Sequence, residues 1–225
     1  MTQKHALILF AKDPVVGQVK TRLSPHLGEK TIFDLYLRFL DDSVDKICRV
    51  AGADRFCGVY PSTISGYFDR IAVSKGIRVF LQEGRDLGER MKNALAKRFE
   101  EGYEKVVIIG SDSPSLPASY IEKAFASGKD LVVGPSTDSG YYLIGANGKV
   151  VDVFSGVSWG TEKVLSETLE RTRHLGATLE LLPVWYDVDR YGDLKFLKVH
   201  LDLLGACGVN ESPATAGFLK QIELQ

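Results

Sequence analysis

Hydrophobic residues along this chain fall into short runs that alternate with longer segments in which they recur every three or four positions. A short apolar run flanked by turn residues is typical of a strand, and the three-to-four spacing is typical of a helix with one buried face. The runs predict strands at residues 6–11, 56–60, 77–81, 106–109, 131–133, 141–144 and 178–182. The spaced segments predict helices at residues 29–50, 86–101, 161–175 and 191–204.

Strands that alternate with helices predict an α/β fold, in which a mostly parallel central sheet carries helices on both faces. The run from Val106 to Ile109 is β-branched throughout, as expected of a central parallel strand buried on both sides. A chain of 225 residues can bury one core of this kind, so we expect a single domain over residues 1–225. Glycine, serine and proline become frequent after Gly205, and residues 205–225 are predicted to form an irregular tail.

Charge and cysteine content narrow the class of ligand. The 28 Lys and Arg residues nearly balance 29 Asp and Glu residues, for a net charge of −1. This balance argues against a general nucleic-acid binder, which would carry a basic stripe, but not against a small anion held by a local cluster. The cysteines are far apart and lack metal-type spacing, so neither a zinc site nor a disulfide framework is expected.

No apolar run has the length of a membrane span or a secretory signal, so we expect a cytoplasmic protein without a membrane span.

The loop after the first predicted strand, residues 12–22, carries three cations, Lys12, Lys20 and Arg22, together with Gly17. In open α/β sheets ligands bind beyond the carboxyl ends of the strands, where this loop lies. Glycine lets backbone N–H groups approach an oxyanion, lysine acts as a point charge, and arginine can fork onto phosphate oxygens. A solvated basic loop is the simpler interpretation of the composition, but the position in a nearly neutral chain favours phosphate binding. The loop matches neither a Walker motif nor a G-x-G-x-x-G fingerprint.

Carboxylates lie in three later loops. Asp112 directly follows residues 106–109, Asp138 lies between two short predicted strands, and Asp187 and Asp189 precede the last predicted helix. Each of them on its own could be a helix cap or a turn residue. Facing a cationic loop together, they fit Mg²⁺ (or Mn²⁺), which takes one or two protein carboxylates plus substrate phosphates. Metal and cations together are what phosphoryl or glycosyl transfer needs at a pyrophosphate leaving group.

Five segments carry a family resemblance: AKDPVVGQVKTRLSPHLG, IIGSDSPSLP, VVGPSTDSGYYLIGA, GVSWGT and DVDRYGDL. In this order, over roughly residues 7–194, the chain resembles the uncharacterised bacterial transferases of the GT-A superfamily. Those proteins are related to nucleotide-diphospho-sugar transferases, to 2-phospho-lactate guanylyltransferase and to molybdenum-cofactor nucleotidyltransferases. The resemblance implies a single-domain GT-A-like fold.

The resemblance also implies roles on the donor side of the site. The implied nucleotide- and phosphate-binding residues are Lys12, Gly17, Lys20, Thr21 and Arg22. The residues implied in catalysis are Lys20, Arg22 and Asp112. The implied metal ligands are Asp112 with Asp189, or less surely Asp187. The nucleotide base is expected to contact the first strand and residues 81–90. No Gly-x-Gly-x-Arg follows the first strand, unlike in sugar-nucleotide pyrophosphorylases.

On the acceptor side, the implied substrate loop comprises Asp138, Ser139, Gly140 and Tyr141, with Trp159 from a later segment. Ser139 stands where the family usually has glycine, which leaves the backbone path of this loop open. An acceptor-binding role for Trp159 competes with simple packing against the start of the following helix.

These features predict a magnesium-dependent transferase that uses an activated nucleotide. Glycosyl transfer from a nucleotide-diphospho-sugar is the first interpretation. Nucleotidyl transfer to a small phosphorylated metabolite, with release of pyrophosphate, is the second. A nucleotide-binding module without activity and a hydrolase are further alternatives, the hydrolase lacking an evident base to activate water. The expected partners are a nucleotide or nucleotide-sugar donor and a small-molecule acceptor, without nucleic acid, and a homodimer is compatible with the sequence.

Overall fold

The apolar runs become the strands of one sheet in the computed structural model, which describes residues 4–224. Its strands are His5–Lys12 (β1), Ala53–Tyr60 (β2), Arg78–Leu81 (β3), Lys105–Gly110 (β4), Leu131–Pro135 (β5), Tyr141–Asn147 (β6) and Leu179–Leu181 (β7). Its α-helices are Glu29–Arg49 (α1), Tyr67–Lys75 (α2), Leu87–Glu100 (α3), Ala118–Ala126 (α4), Val164–His174 (α5), Tyr191–Ala206 (α6) and Pro213–Leu219 (α7). A short 3₁₀ helix at Thr21–Leu23 lies between β1 and α1.

The strands pair in the order β3-β2-β1-β4-β6-β5-β7. Only β6 runs against its neighbours, being antiparallel to both β4 and β5, while the remaining pairs are parallel. The predicted α/β fold with a mostly parallel central sheet is therefore confirmed. Because β1 and β4 are adjacent and parallel, their carboxyl ends lie side by side, and the loops that follow them start at the same edge of the sheet.

β1 shows how both faces of the sheet are covered. Successive side chains of a strand point to opposite faces, so Leu7 and Leu9 belong to one buried cluster and Ile8 and Phe10 to the other. Helices α1, α4 and α6 contribute to the first cluster, and α3 contributes to the second. This burial on both sides explains why the strand is an uninterrupted apolar run instead of an alternating one.

The C-terminal segment corrects one expectation from the sequence. Residues 205–225 were predicted to be an irregular tail, but α6 extends to Ala206 and α7 forms at Pro213–Leu219. The cap of α7 comes from another helix, because the Asp42 carboxylate on α1 accepts hydrogen bonds from the backbone N–H of Ala214 at 3.0 Å and Thr215 at 2.8 Å. The tail is thus folded against α1 by a buried carboxylate.

None of the helices of residues 4–224 combines the length and the apolar character that crossing a bilayer requires.

Candidate active site

A cleft of about 920 Å³ opens at the carboxyl ends of β1 and β4. Its lining includes the cationic loop after β1, the start of the loop after β4, the turn before β6 and the segment that leads into α6. The loops that the sequence singled out therefore meet at one place. A second cavity of about 700 Å³ lies at the amino end of β1, beside Lys4 and His5. It lies away from the converging loops, so the first cleft is the candidate active site.

The backbone of the first loop decides where its cations point. Gly17 turns the chain with a φ of +74°, and Lys20 has a left-handed backbone with a φ of +47°, a conformation that non-glycine residues rarely adopt. Val19 and Leu23 on either side of Lys20 are buried and anchor this part of the loop. The Lys20 side chain is consequently turned inward and is 5% exposed, whereas that of Arg22 is 63% exposed.

Lys20 bridges two carboxylates that come from separate loops. Its Nζ lies 2.6 Å from Asp112 Oδ1 and 2.9 Å from Asp189 Oδ1, and it donates a hydrogen bond of 2.8 Å to the Val188 carbonyl. Three oxygen atoms thus satisfy the three N–H donors of the ammonium. Arg22 Nη1 is 2.9 Å from the other carboxylate oxygen of Asp189. We refer to Asp112 and Asp189 as the acidic pair.

Electrostatics keep this cluster charged. Burial alone would lower the pKa of Lys20, but the charges and hydrogen bonds of Asp112 and Asp189 raise it above its ordinary value. Burial would raise the pKa of Asp189, yet the neighbouring charge of Lys20 lowers it. A neighbouring opposite charge favours the ionised form of each group. Lys20 and Asp189 are therefore ionised throughout the neutral range.

Two sets of contacts fix the loops around Lys20. The Val188 N–H donates a hydrogen bond of 2.9 Å to the Asp112 carbonyl, which joins the loop after β4 to the segment before α6. The hydroxyl of Tyr36, on α1, accepts a hydrogen bond from the Lys12 N–H and donates one to the Lys12 carbonyl, both at 3.0 Å. Burial, followed by the charge of Asp112, raises the pKa of Tyr36 and keeps its phenol protonated. Tyr36 lies within the helix predicted at residues 29–50, but this contact was not predicted.

Asp187 differs from Asp189 in what its oxygens contact. Its Oδ1 accepts a hydrogen bond from the Ser113 hydroxyl, and its Oδ2 accepts one from the Ser136 hydroxyl at 3.0 Å. Burial is the main cause that raises the pKa of Asp187 to about 6. Both of its oxygens are thus used to hold protein loops together. Asp189 shares the Lys20 ammonium with Asp112, whereas Asp187 lies close enough to Asp112 and Asp138 for their charges to add to the rise in its pKa. Asp187 and Asp189 both stay predicted metal ligands.

The acidic pair has the donor atoms that a hard divalent cation requires. Among residues 4–224, no three His, Cys, Asp or Glu side chains converge as a complete metal site. Mg²⁺ does not need one, because it takes one or two carboxylates and completes its shell with water and substrate phosphates. One oxygen of Asp112 and one of Asp189 already converge on a single cation, the Lys20 ammonium. The residues present therefore fit Mg²⁺ or Mn²⁺, and the metal itself stays a prediction.

A second wall of the cleft is aromatic. Tyr141 and Trp159 both line the cleft and meet edge to face, with ring centroids 6.1 Å apart. Trp159 also stacks on Phe154 at 6.5 Å. A side chain at Gly88 would put its Cβ 2.2 Å from Trp159 Nε1, so the glycine at the start of α3 makes room for the indole. The two aromatic residues predicted on the acceptor side are thus together in the cleft.

The loop of Asp138 closes on itself. Asp138 Oδ1 accepts a hydrogen bond of 3.0 Å from the Gly140 N–H, a contact typical of a turn. Ser139 has a φ of +70°, the left-handed conformation that glycine adopts freely. Ser139 therefore follows the backbone path open to the glycine that is usual at this position. Asp138 and Gly140 line the cleft.

Of the predicted phosphate-binding residues, Lys12, Lys20, Thr21 and Arg22 line the cleft. Gly17 is exposed at the turn of the loop and is not among the residues that line the cleft. Its positive φ shapes the loop and does not by itself bring its N–H to a ligand.

Asp13 is a residue of the first loop that sequence reasoning missed. It is buried, and its carboxylate accepts hydrogen bonds from the Ser65 N–H at 3.1 Å and the Ser62 hydroxyl at 3.2 Å. These contacts tie the cationic loop to the segment after β2. The available signal was an acidic residue at the strand end of an otherwise cationic loop.

In the segment expected to contact the base, the Arg90 guanidinium lies over the Tyr60 ring at 4.0 Å, on the lining of the cleft.

Comparisons with known proteins agree with this architecture. A model of the family described as uncharacterised proteins conserved in bacteria (DUF2064) matches residues 44–161. A crystal structure of a "putative nucleotide-diphospho-sugar transferase" from Desulfovibrio desulfuricans G20 is 32% identical, with a TM-score of 0.87, and the match covers 98% of this chain and 95% of that chain. No curated protein matches this sequence. The resemblance inferred from the sequence motifs is confirmed.

Two more distant solved structures share the fold. A cytidylyltransferase from Leptospira borgpetersenii serovar Hardjo-bovis is 13% identical with a TM-score of 0.60, covering 98% of this chain and 94% of its own. A CMP:2-keto-3-deoxy-manno-octonic acid synthetase complexed with CTP is 12% identical with a TM-score of 0.51, covering 89% of this chain and 99% of its own. At this level of identity the likeness establishes the fold and nothing finer.

Proposed function

This chain belongs to the DUF2064 family of proteins conserved in bacteria, and we propose that it is a metal-dependent transferase whose donor is an activated nucleotide. The proposed donor class is a nucleotide-diphospho-sugar, and the proposed reaction is glycosyl transfer to a small-molecule acceptor. One observation carries the proposal: the Lys20 ammonium lies 2.6 Å from Asp112 and 2.9 Å from Asp189, at the carboxyl ends of the strands. Basic and acidic groups meet there as a diphosphate leaving group and its metal require.

The similar proteins support this choice of reaction class. The Desulfovibrio protein, 32% identical over nearly the whole chain, carries the name of a nucleotide-diphospho-sugar transferase. The synthetase that shares the fold was solved with CTP. Ligands of open α/β sheets bind where this cleft lies, beyond the carboxyl ends of the strands.

The residues of the first loop would bind the donor's phosphates. Lys12, Lys20 and Arg22 all line the cleft, and their positive charges neutralise phosphate oxygens as negative charge develops on the leaving group. Arg22 can place two N–H donors on one phosphate group, whereas each lysine supplies a point charge. The buried residues Val19 and Leu23 anchor the backbone of the loop on either side of Lys20, so the loop stays at the cleft before the donor arrives.

The acidic pair would hold the metal, with Asp112 and Asp189 as its protein ligands. A bound divalent cation supplies charge neutralisation at the diphosphate oxygens. The Val188 N–H bond to the Asp112 carbonyl and the hydroxyl bonds to Asp187 keep the two acidic loops together. Tyr141 and Trp159 form an aromatic wall on which an acceptor can pack.

Nucleotidyl transfer from a nucleoside triphosphate is the second candidate. Three cations of one loop line the cleft, and a triphosphate carries more negative charge than the diphosphate diester of a nucleotide-sugar. The number of cations therefore favours a triphosphate, whereas the name of the 32% identical relative favours a nucleotide-sugar.

Product analysis separates these candidates. Labelled nucleoside triphosphates and nucleotide-sugars are incubated with the protein and Mg²⁺, and the released pyrophosphate or nucleoside diphosphate is measured. Release of a nucleoside diphosphate supports glycosyl transfer, and release of pyrophosphate supports nucleotidyl transfer. If neither class of donor raises the melting temperature in the presence of Mg²⁺, the nucleotide proposal is wrong.

The same assay tests for a binding module without activity. In such a module, donor binding without turnover would survive the substitution Asp112→Asn. A transferase instead shows turnover that depends on Mg²⁺ and falls steeply in this variant.

A further inference from the structure

We propose that Lys20 is a resident counter-cation that keeps the acidic pair closed to metal until the phosphates of the donor draw it away. This inference rests on the proposed function, because it names the part of the donor that opens the site. That part is the polyphosphate chain of the nucleotide. Metal without nucleotide binds weakly to the acidic pair while Lys20 occupies it.

The contacts of Lys20 place it in competition with a metal. Its Nζ contacts Oδ1 of Asp112 and Oδ1 of Asp189, the two carboxylate atoms that converge on one point. The Val188 carbonyl is the third oxygen around the ammonium. A cation bound between the two carboxylates would need the oxygens that the ammonium now holds. The Lys20 side chain is 5% exposed, so its charge cannot leave these partners without cost.

Lys20 cannot leave the acidic pair at low cost unless another cation replaces it. Without a replacement, Asp112 and Asp189 would remain as adjacent like charges. The displaced ammonium would itself be a buried charge without a partner. An exchange of both partners avoids this. The phosphate chain takes the ammonium while a divalent cation takes the carboxylates, and every charge stays paired. Binding of the donor and of the metal is therefore coupled through Lys20, and each raises the affinity of the other by the same factor.

Lys20 borders the cleft in which the phosphates would bind. It has a left-handed backbone with a φ of +47°, a conformation that non-glycine residues rarely adopt. Lys20, Thr21 and Arg22 all line the cleft, so a phosphate chain in the cleft can approach the ammonium. Arg22 contacts only Asp189 within the acidic pair and is 63% exposed. Lys20 is thus the cation that closes the pair, and Arg22 is a suitable comparison for it.

The test is the affinity for Mn²⁺ in the absence of any nucleotide, measured by electron paramagnetic resonance of the free ion. The variant Lys20→Met should bind Mn²⁺ at least about tenfold more tightly than the wild-type protein, because the competing charge is gone. The double variant K20M/D112N should lose this gain. An unchanged or weaker Mn²⁺ affinity in a folded K20M protein would overturn the proposal.

Two further variants serve as controls for protein stability and for a general effect of charge. Lys20→Gln keeps a donor for the Val188 carbonyl but lacks the charge, so it should shift the Mn²⁺ affinity in the same direction if K20M proves unstable. Arg22→Met removes an exposed charge that contacts only one carboxylate of the pair, so its gain in Mn²⁺ affinity should be clearly smaller than that of K20M. A gain in R22M equal to that in K20M would show a general charge effect and contradict the specific role of Lys20.

UDP-glucose serves as the probe for coupling. In the wild-type protein it should raise the Mn²⁺ affinity towards that of K20M, after correction for its own metal binding, and in K20M it should raise the affinity much less. CTP is tested in the same way. A wild-type protein that binds neither probe contradicts the proposed function, whereas binding of a probe together with an unchanged Mn²⁺ affinity in K20M contradicts the role of Lys20 alone.

Discussion

Two buried lysines reach the same loop, residues 111–117, from different parts of the molecule. On the cleft side, the Lys20 ammonium contacts the carboxylates of Asp112 and Asp189. Behind the loop, Lys46 of α1 is 1% exposed and donates a hydrogen bond of 2.6 Å to the Pro114 carbonyl. Burial lowers the pKa of Lys46 to about 7, whereas the two carboxylates outweigh burial and raise the pKa of Lys20.

The difference lies in the partners and not in the burial. A lysine between two carboxylates keeps its charge and can pass from one set of anions to another. A lysine on a carbonyl holds the chain in place, but its own charge is unfavourable where it lies. The Ser212 hydroxyl donates to the same Pro114 carbonyl at 2.5 Å, so the segment before α7 shares the task of Lys46. One side of the loop therefore carries the lysine of the proposed ligand exchange, and the other side is held in place by Lys46 and Ser212.

The largest expected effect is the loss of turnover when Asp112, on the cleft side of the loop, is replaced. Asp112→Asn removes one of the two charges that face Lys20 and would hold the metal. Turnover with the accepted donor should fall by about 10²- to 10³-fold, since the removed group acts on the leaving group's charge. Release of pyrophosphate or nucleoside diphosphate is the readout. Asp202→Asn, an exposed aspartate of α6, is the matched control and should leave the rate unchanged, and an equal rate in D112N would contradict the assignment.

The next prediction concerns Lys46 and the dependence of protein stability on pH. Lys46 has a pKa of about 7 in the folded protein and 10.5 ordinarily. Between these values the unfolded chain holds a proton that the folded chain lacks, so stability rises with pH across this interval. Relative to Lys46→Met, the free energy of unfolding of the wild-type protein should rise by on the order of 2 kcal/mol from pH 7 to pH 9.

Urea denaturation at the two pH values measures this slope. Lys195→Met, which removes an exposed lysine of α6, should keep the wild-type slope. Parallel wild-type and K46M curves would show that Lys46 keeps an ordinary pKa, and the contrast with Lys20 would fail.

A smaller effect is expected where the fixing contact is shared. Ser212→Ala removes one of the two donors to the Pro114 carbonyl and leaves the bond from Lys46 in place. The free energy of unfolding should fall by about 1 kcal/mol, the usual worth of one hydrogen bond. Chemical denaturation at pH 7 gives the value. No loss at all would mean that Lys46 alone holds this part of the loop.

The smallest effect concerns the exposed cation of the first loop. Arg22→Met breaks an ion pair with Asp189 in which the arginine is 63% exposed. Stability should change by less than about 0.5 kcal/mol, because exposed ion pairs contribute little. The same denaturation series provides the measurement. A loss larger than that of S212A would show that Arg22 helps to fix the loop and is not reserved for ligand.

The sequence predicted elements with a long period well and short ones poorly. Helix α1 was expected at residues 29–50 and is found at Glu29–Arg49, since its apolar face repeats over many turns. Helix α2 spans nine residues, with Tyr67, Phe68 and Ile71 buried, too few to reveal a period. Helix α7 escaped prediction because Asp42 of another helix supplies its cap, and a tertiary partner leaves no local signal.

The site was predictable as far as strand ends determine it. Lys20 and Asp112 follow β1 and β4, which are adjacent and parallel, so the topology brings their loops together. Asp189 lies in the segment between the edge strand β7 and α6, and its role came from the family resemblance. The sequence did not predict that Lys20 itself bridges the two carboxylates, because the inward turn of its side chain depends on an unusual backbone conformation. Nor could it pair Lys46 with Pro114, which lies 68 residues away. Contacts of this kind arise from packing and not from local pattern.

Lys20 and the acidic pair would form the two halves of the proposed metal–phosphate site. A crystal structure of the wild-type protein with Mg²⁺ and its accepted donor tests this arrangement directly. We expect metal density between Asp112 and Asp189, with Lys20 Nζ moved onto a phosphate oxygen. Donor phosphates bound elsewhere in the cleft, with the contacts from Lys20 to Asp112 and Asp189 still intact, would contradict it.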